Sequence, residues 1–547
     1  MRLSSTDRPA VPELPPAEHA ESRALLDLSG LSNGEGLPDI LDLLNSRCAE
    51  LESAALPSYL ARRRWFGRKD ETLSTCRIAC ISSLPEGEPA MVLCEVETTG
   101  ESPEGHGPER WLLPLAIVWA GDVQPLSKDL AVAYVSFEGS AGLLTDAFSL
   151  PVFARSLLEG LSSSACIASS DGDVVFEGRE EAGRGAPLPS DESVAWLSVE
   201  QSNSSLVVGS SVMLKIFRRV ARGPHPEAEM SRYLTEGGFN NSPRLLGEVT
   251  RIDRVGQRHS LAVAQAFVAN QGDAWTWILK RFAEHLDAFS RSEAVGDEDC
   301  AHMAAAIGRR LGEMHVVLAR QTDDPAFSPR HAQPDDFAAW AAGAGEELSR
   351  AYRALADADA APSSAARREL LQHRPALLRA LPRLATAGIG STVSRIHGDF
   401  HLGQVLVANR DAYIIDFEGE PLKTIDERRA KASPLNDVAG MLRSFRYAVA
   451  VASGEQGSRH QRSDGGGKIL APVLRRAEAS FLQAYRQAVT SLSGLENPDL
   501  LDLFLVRKAA YEICYEAANR PEWLTVPADG LLEIVRRVVN HPAAPAP

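Results

Sequence analysis

The chain has 547 residues, long enough for two to four domains with a substantial core, and its formal net charge of −16 argues against a general nucleic-acid or anionic-membrane surface. Its 7 cysteines are scattered with no Cys-x-x-Cys pair, which suits free thiols in a reducing compartment better than a disulfide framework or a zinc site. No apolar run approaches a membrane span and no basic segment with an apolar core opens the chain, so cytoplasmic is the expectation.

Residues 1–55 are rich in Pro, Ser, Glu and Gly and read as a flexible arm. Residues 56–192 open with Arg62-Arg63-Arg64-Trp65-Phe66, an arginine-rich turn packing its aromatics. Short β-type runs follow at 91–96, 111–118 and 130–135, then a helical stretch at 141–160 and a Ser/Gly-rich connection with one strand near 174–176.

Residues 193–270 read as a small sheet, with strands at 195–200, 205–208 and 212–217. Lys215 sits in the last of these among apolar residues, so its charge needs a partner or a ligand. Glu229, in the helical run that follows, is the expected partner. No Gly-x-Gly-x-x-Gly or Walker-type loop is present. The turn Gln201-Ser202-Asn203-Ser204 instead offers hydroxyls, an amide and backbone N–H groups to a phosphate.

Residues 271–547 are mainly helical, with Asp273 as an N-cap and amphipathic runs at 301–320, 335–355 and 365–385. Between helices lies Arg395-Ile396-His397-Gly398-Asp399-Phe400-His401-Leu402-Gly403-Gln404, then two apolar runs flanking Asn409-Arg410-Asp411, a β-hairpin pattern. A hairpin symmetric about Arg410 pairs Ala408 with Ala412, Val405 with Ile415 and Gln404 with Asp416, about 5 Å apart at Cβ. An amide oxygen and a carboxylate would then converge near Asp399, a donor set that suits Mg2+ sharing its shell with substrate phosphates. Asp437 lies at the start of a following helix.

Near the C-terminus, a helix over 504–519 carries Tyr511, Tyr515 and Asn519 on one stripe and Glu512, Glu516 and Arg520 on the next. Aromatic rings beside carboxylates suit a sugar. Lys508–Glu512 and Glu516–Arg520 ion pairs beside packed tyrosines are the alternative.

The spacing of His-Gly-Asp, the later amide and Asp-Phe resembles the aminoglycoside-phosphotransferase-like branch of the protein-kinase fold. The resemblance implies an α+β, bilobal protein-kinase-like fold with an N-terminal β-rich cap subdomain (56–192), a small lobe (193–270) and a mainly helical large lobe (271–547). It makes Asp399 the catalytic aspartate and Gln404 and Asp416 the Mg2+ ligands, with Lys215 and Glu229 on the α/β-phosphates of ATP, and it makes Asp437 the support that ties down the catalytic loop. Gln404 in place of Asn, and Glu418 inserted before Gly419, depart from a general kinase.

The stretches HGDFHLGQVL, IIDFEGEP, SPLNDVAGMLRSF and YEICYEAANRPEWL resemble maltokinases, as does Gln201-Ser202-Asn203-Ser204-Ser205 before the lysine strand. That narrower likeness implies transfer from ATP to the anomeric hydroxyl of maltose, feeding glycogen synthesis from trehalose. His401, Tyr511, Glu512, Tyr515, Glu516, Asn519 and Arg520 would line the acceptor site. Glucosamine or an aminoglycoside as acceptor, or a non-catalytic trehalose synthase partner, are the alternatives.

Overall fold

The computed structural model describes residues 23–31, 36–67, 73–85, 87–100, 107–122, 127–179, 193–197, 203–292, 296–357, 364–421, 423–454 and 465–540. They fall into two compact units. Unit 1 is Met1–Glu229 with Arg244–Phe267, and unit 2 is Met230–Pro243 with Val268–Pro547. Among the described residues no helix is long and apolar enough to cross a membrane.

Unit 1 is built on one 14-stranded sheet. From one edge the order is Leu25–Asp27, Ala131–Phe137, Ser140–Asp146, Glu109–Trp119, Met91–Gly100, Leu73–Ser83, Cys166–Ser169, Gly172–Gly178, Leu245–Ile252, Arg258–Ala266, Val212–Phe217, Asn203–Val208 and Val194–Trp196, and the short strand Arg219–Val220 pairs with Glu109–Trp119 off this path. The period of two explains why its centre is buried on both faces. On Glu109–Trp119, Leu112, Ala116 and Val118 join one core with Phe153 and Leu157 of helix Pro151–Ser163. Trp111, Leu113, Leu115 and Ile117 join the other.

That second core corrects the expectation of a flexible arm for residues 23–31 and 36–55; the rest of 1–55 lies outside the described residues. Leu26, Leu28, Ile40, Leu43 and Leu51 belong to it. Leu25–Asp27 pairs in parallel with Ala131–Phe137, and helix Ile40–Glu50 starts on a capping box made by Asp39 and Asp42. The two-sided sheet needs a cover on this face, and the N-terminal segment supplies it. The connection expected after residue 160 is likewise a hairpin, Cys166–Ser169 with Gly172–Gly178, which splices the cap strands to the lysine strands in one sheet. Residues 141–160 are helical only from Pro151; Glu138 and Gly139, both at positive φ, turn the chain into the strand Ser140–Asp146 first.

Unit 2 packs helices Ala274–Ser290, Glu298–Leu318, Pro334–Asp357, Ser364–Thr386, Leu435–Ala452, Gly466–Ala488, Pro498–Asn519 and Thr525–Asn540 about one core. Asp273 caps the first, accepting from Thr276 N–H at 2.7 Å. The hairpin Val405–Ala408/Asp411–Ile414 is set into this core and its edges are covered. Gln271 N–H donates to Val407 O at 2.8 Å and Ile414 N–H to Asn241 O at 2.8 Å.

The hairpin register is one residue off the symmetric expectation: Val405 faces Ile414 and Ala408 faces Asp411. A two-residue turn, Asn409-Arg410, has both φ values positive (52° and 61°), the primed geometry that matches strand twist. Asn tolerates the left-handed region, whereas an ordinary L-residue such as Arg410 gives up about 1–2 kcal/mol there.

Candidate active site

The loop from Arg395 to Asp399 is fixed from behind by one carboxylate. Asp437, 1 % exposed in the first turn of helix Leu435–Ala452, accepts from His397 N–H at 2.8 Å and Gly398 N–H at 2.9 Å. It also sits 3.0 Å from His315 Nε2, whose Nδ1 lies 3.1 Å from the Tyr485 hydroxyl. Burial pushes the Asp437 carboxyl up, but the His315 hydrogen bond, the two histidines and the Gly398 N–H outweigh it, and the net shift is downward.

His397 Nε2 is 2.9 Å from the Ile415 carbonyl, so it donates and leaves Nδ1 to accept from Asp399 N–H at 3.3 Å. Helix Leu435–Ala452 approaches so closely that a Cβ at Gly440 would stand 2.5 Å from the Phe400 carbonyl oxygen. Asp437 is therefore the loop support that the resemblance implies, and His315 is a buried histidine that backs it.

On the open side of this loop, Asp399 Oδ1 is 3.7 Å from Lys508 Nζ and Oδ2 is 4.0 Å from His401 Nε2. Lys508 also lies 3.4 Å from Glu420 Oε1, and Lys423 stands 2.7 Å from Glu420 Oε2. Burial alone would lower the Lys508 ammonium, but Glu420 and Asp399 outweigh it and hold the group charged. Glu420 is raised by burial and pulled lower overall by Lys508 and Lys423. His401 Nδ1 accepts from Gly403 N–H at 3.0 Å, a bond that stabilises the loop.

Gln404 Nε2 and Asp416 Oδ2 are 2.9 Å apart. The expected convergence is present, by a different route. In the observed register Gln404 O accepts from Ile415 N–H at 3.0 Å, which would turn the next side chain to the other face. Asp416 escapes that alternation because its φ is +69°, rotating the chain out of the strand.

In unit 1, Lys215 lies on strand Val212–Phe217 with its Nζ 3.9 Å from Glu227 Oε2. Glu227 also accepts from Gln265 Nε2 at 2.9 Å. Glu227 is thus a carboxylate within reach of the lysine that sequence reasoning, fixed on Glu229, passed over; Glu229 is buried on the same helix, Pro226–Glu236. Of the expected phosphate turn, Gln201 and Ser202 lie outside the described residues. Asn203 and Ser204 are not in a turn but open strand Asn203–Val208. The Ser204 hydroxyl is buried and accepts from Arg218 Nε at 2.8 Å, a structural bond in place of the expected phosphate contact. Arg218 itself is held by Asp146 at 2.8 Å.

Helix Pro498–Asn519 sorts its two stripes by burial. Glu512 receives both Nε and Nη2 of buried Arg443, at 2.8 and 2.7 Å. Glu516 is bound by Arg520 at 2.8 Å and accepts from the Tyr447 hydroxyl at 3.2 Å. Both carboxylates are thus paired within the fold, and the Glu516–Arg520 pair is the one named as the alternative to a sugar contact. Asn519 Nδ2 donates to the Tyr515 carbonyl. Tyr511 and Tyr515 stack at 6.5 Å, Tyr515 is 43 % exposed, and Lys508 lies over the Tyr511 ring at 5.1 Å. Lys508, missed as a site residue, was legible as the position one turn before Tyr511 on the same stripe.

The Gln404 amide and the Asp416 carboxylate lie side by side, Nε2 donating to Oδ2, and each also carries a hard oxygen; among the described residues no group of three or more His, Cys, Asp or Glu is arranged for a metal. A two-donor site fits Mg2+, which takes the rest of its shell from water and phosphate, and does not fit zinc.

Residues 196–461 match the phosphotransferase enzyme family, APH. The matched region spans the lysine strand, the loop Arg395–Asp399 and the hairpin. A glucosamine kinase of Streptacidiphilus jiangxiensis is 28% identical over 345 residues, 62% of this chain and 72% of the relative. A glucosamine kinase of Mycolicibacterium smegmatis (strain ATCC 700084 / mc(2)155) is 27% identical over 333 residues, 60% and 77% of the two chains. Among solved structures, a glucosamine kinase in complex with glucosamine, ADP and inorganic phosphate superposes with a TM-score of 0.60 at 22% identity, over 87% of this chain and 98% of that one. A second glucosamine kinase structure, crystal form A, gives 0.62 at 23% identity, over 89% and 98%. The fold is that of the kinases, α+β, with the APH region carried in it.

Proposed function

We propose that this protein is an ATP-dependent, Mg2+-requiring kinase that phosphorylates a sugar hydroxyl. The observation that carries the reading is the grouping of Asp399, Gln404 and Asp416 on one braced loop and hairpin, beside Lys508 and Tyr511. When bound at Gln404 and Asp416, Mg2+ supplies charge neutralisation on the phosphates. Asp399 accepts the hydroxyl proton, and Asp437 holds its loop so that the carboxylate is placed before substrate arrives. Lys508 orients an acceptor oxygen, and the Tyr511–Tyr515 stack covers a sugar's C–H face. On unit 1, Lys215 with Glu227 beside it offers the charge suited to nucleotide phosphates.

The curated relatives favour an amino sugar such as glucosamine as the acceptor. Maltose is the second reading. It is favoured by Lys508 and Lys423, two ammonium groups near Asp399 and Glu420 that would repel a protonated amine and tolerate a neutral sugar. The deciding experiment incubates the chain with ATP and Mg2+ and a panel of glucosamine, maltose, glucose and kanamycin, and detects phosphorylated product. Turnover with glucosamine ahead of the rest supports the first reading and turnover with maltose the second. Absence of any product, with ATP bound, would leave a non-catalytic partner of another sugar enzyme in place of both.

A further inference from the structure

At the turn end of the hairpin, away from Gln404 and Asp416, unit 2 contains two cavities of about 240 and 430 Å³ that share Asp299, His302 and Arg410 as walls. Arg410 occupies a left-handed turn position, φ 61°, where glycine is the ordinary residue. Its contact with Asp299 is long, 3.5 Å, and both side chains are largely exposed, 76% and 59%. An exposed pair of that kind contributes little to stability, so the fold does not account for an arginine at this strained position.

The remaining walls describe what the arginine faces. Trp277 contributes an indole, backed by Arg281 at 5.6 Å from the ring centroid. Arg476, paired with Asp297, stands in the second cavity. Both cavities carry charges of both signs: Arg281 and Arg410 with Asp299 in the first, and Arg410 and Arg476 with Glu298 and Asp299 in the second. An anion would meet Asp299 and a cation would meet Arg410 and Arg476, whereas a neutral polyol finds donors and acceptors for its hydroxyl pairs and an indole for its apolar face. Two adjoining cavities suit a ligand of more than one ring.

We propose that this groove binds a neutral oligosaccharide at a site separate from the reacting groups. The site does not depend on which reaction the catalytic loop performs. Its test is a calorimetric titration of the full chain with maltopentaose, cellopentaose, chitopentaose and inorganic phosphate, with tryptophan fluorescence followed alongside. At least one pentasaccharide binds, and Arg410→Gly, which relieves the turn and keeps or raises the melting temperature, weakens it by about tenfold or more. His302→Ala, an exposed change, weakens it in the same direction. A Lys508→Ala/Tyr515→Ala double variant binds as the unaltered chain does. Binding lost in that double variant and kept in Arg410→Gly would put the sugar at the acceptor site and overturn the proposal. So would phosphate binding alone, or no pentasaccharide binding at all.

Discussion

Asp399 and Glu512 are carboxylates in unit 2, one on the loop Arg395–Asp399 and one on helix Pro498–Asn519, and each has a cation beside it. The Asp399 side chain is 22% exposed with Lys508 at 3.7 Å, beyond hydrogen-bond contact. The Glu512 side chain is 11% exposed and takes two guanidinium nitrogens of Arg443 at 2.7 and 2.8 Å. The loop keeps its acid open and fixes its backbone through Asp437, Gly398 and Gly440. The helix does the reverse, closing its acids into ion pairs and leaving tyrosine rings and a lysine for solvent or ligand. Residue type is the same in both; what differs is whether the partner is at a distance that a substrate can enter.

The contrast breaks most easily at Asp399. Asp399→Asn is expected to lower kcat by about 10²–10⁴ with nucleotide binding and the melting temperature nearly unchanged, measured by product formation, calorimetry and thermal unfolding. Wild-type turnover in that variant would remove Asp399 from the chemistry. Glu512→Ala tests the other side. It strands the buried Arg443 charge and is expected to destabilise unit 2 by about 3–5 kcal/mol in denaturant titration, with the acceptor KM of the folded protein little changed. A large KM effect without loss of stability would return Glu512 to the sugar site. The smallest effect is expected from Lys508→Met, which keeps the stem and removes the charge. The acceptor KM rises about tenfold while that for ATP holds, consistent with one charged hydrogen bond. An unchanged acceptor KM would make Lys508 a structural partner of Glu420 only.

These outcomes also bear on what could be read without coordinates. The lysine strand Val212–Phe217 and the helices of unit 2 follow from hydrophobic period alone, and the APH region follows from Asp399, Gln404 and Asp416 at their spacing. Glu227 was missed because strand-to-helix pairing depends on how the helix is rotated, which its sequence does not encode. The hairpin register was misplaced by one because Asn409 and Arg410 make a two-residue turn without the glycine that usually announces one. The fates of Glu512 and Glu516 depended on Arg443 and Tyr447, which are 69 residues away in sequence. Long-range partners of that kind decide burial, and no local pattern carries them.

The strand Leu25–Asp27 has a practical consequence for anyone shortening the chain. Cutting just before Leu56, where composition invites it, would uncover the backbone of Ala131–Phe137 along its outer side and strip one face of the large sheet. A bared strand and a wet apolar surface together promote self-association, so loss of solubility would follow the cut even with every catalytic group intact.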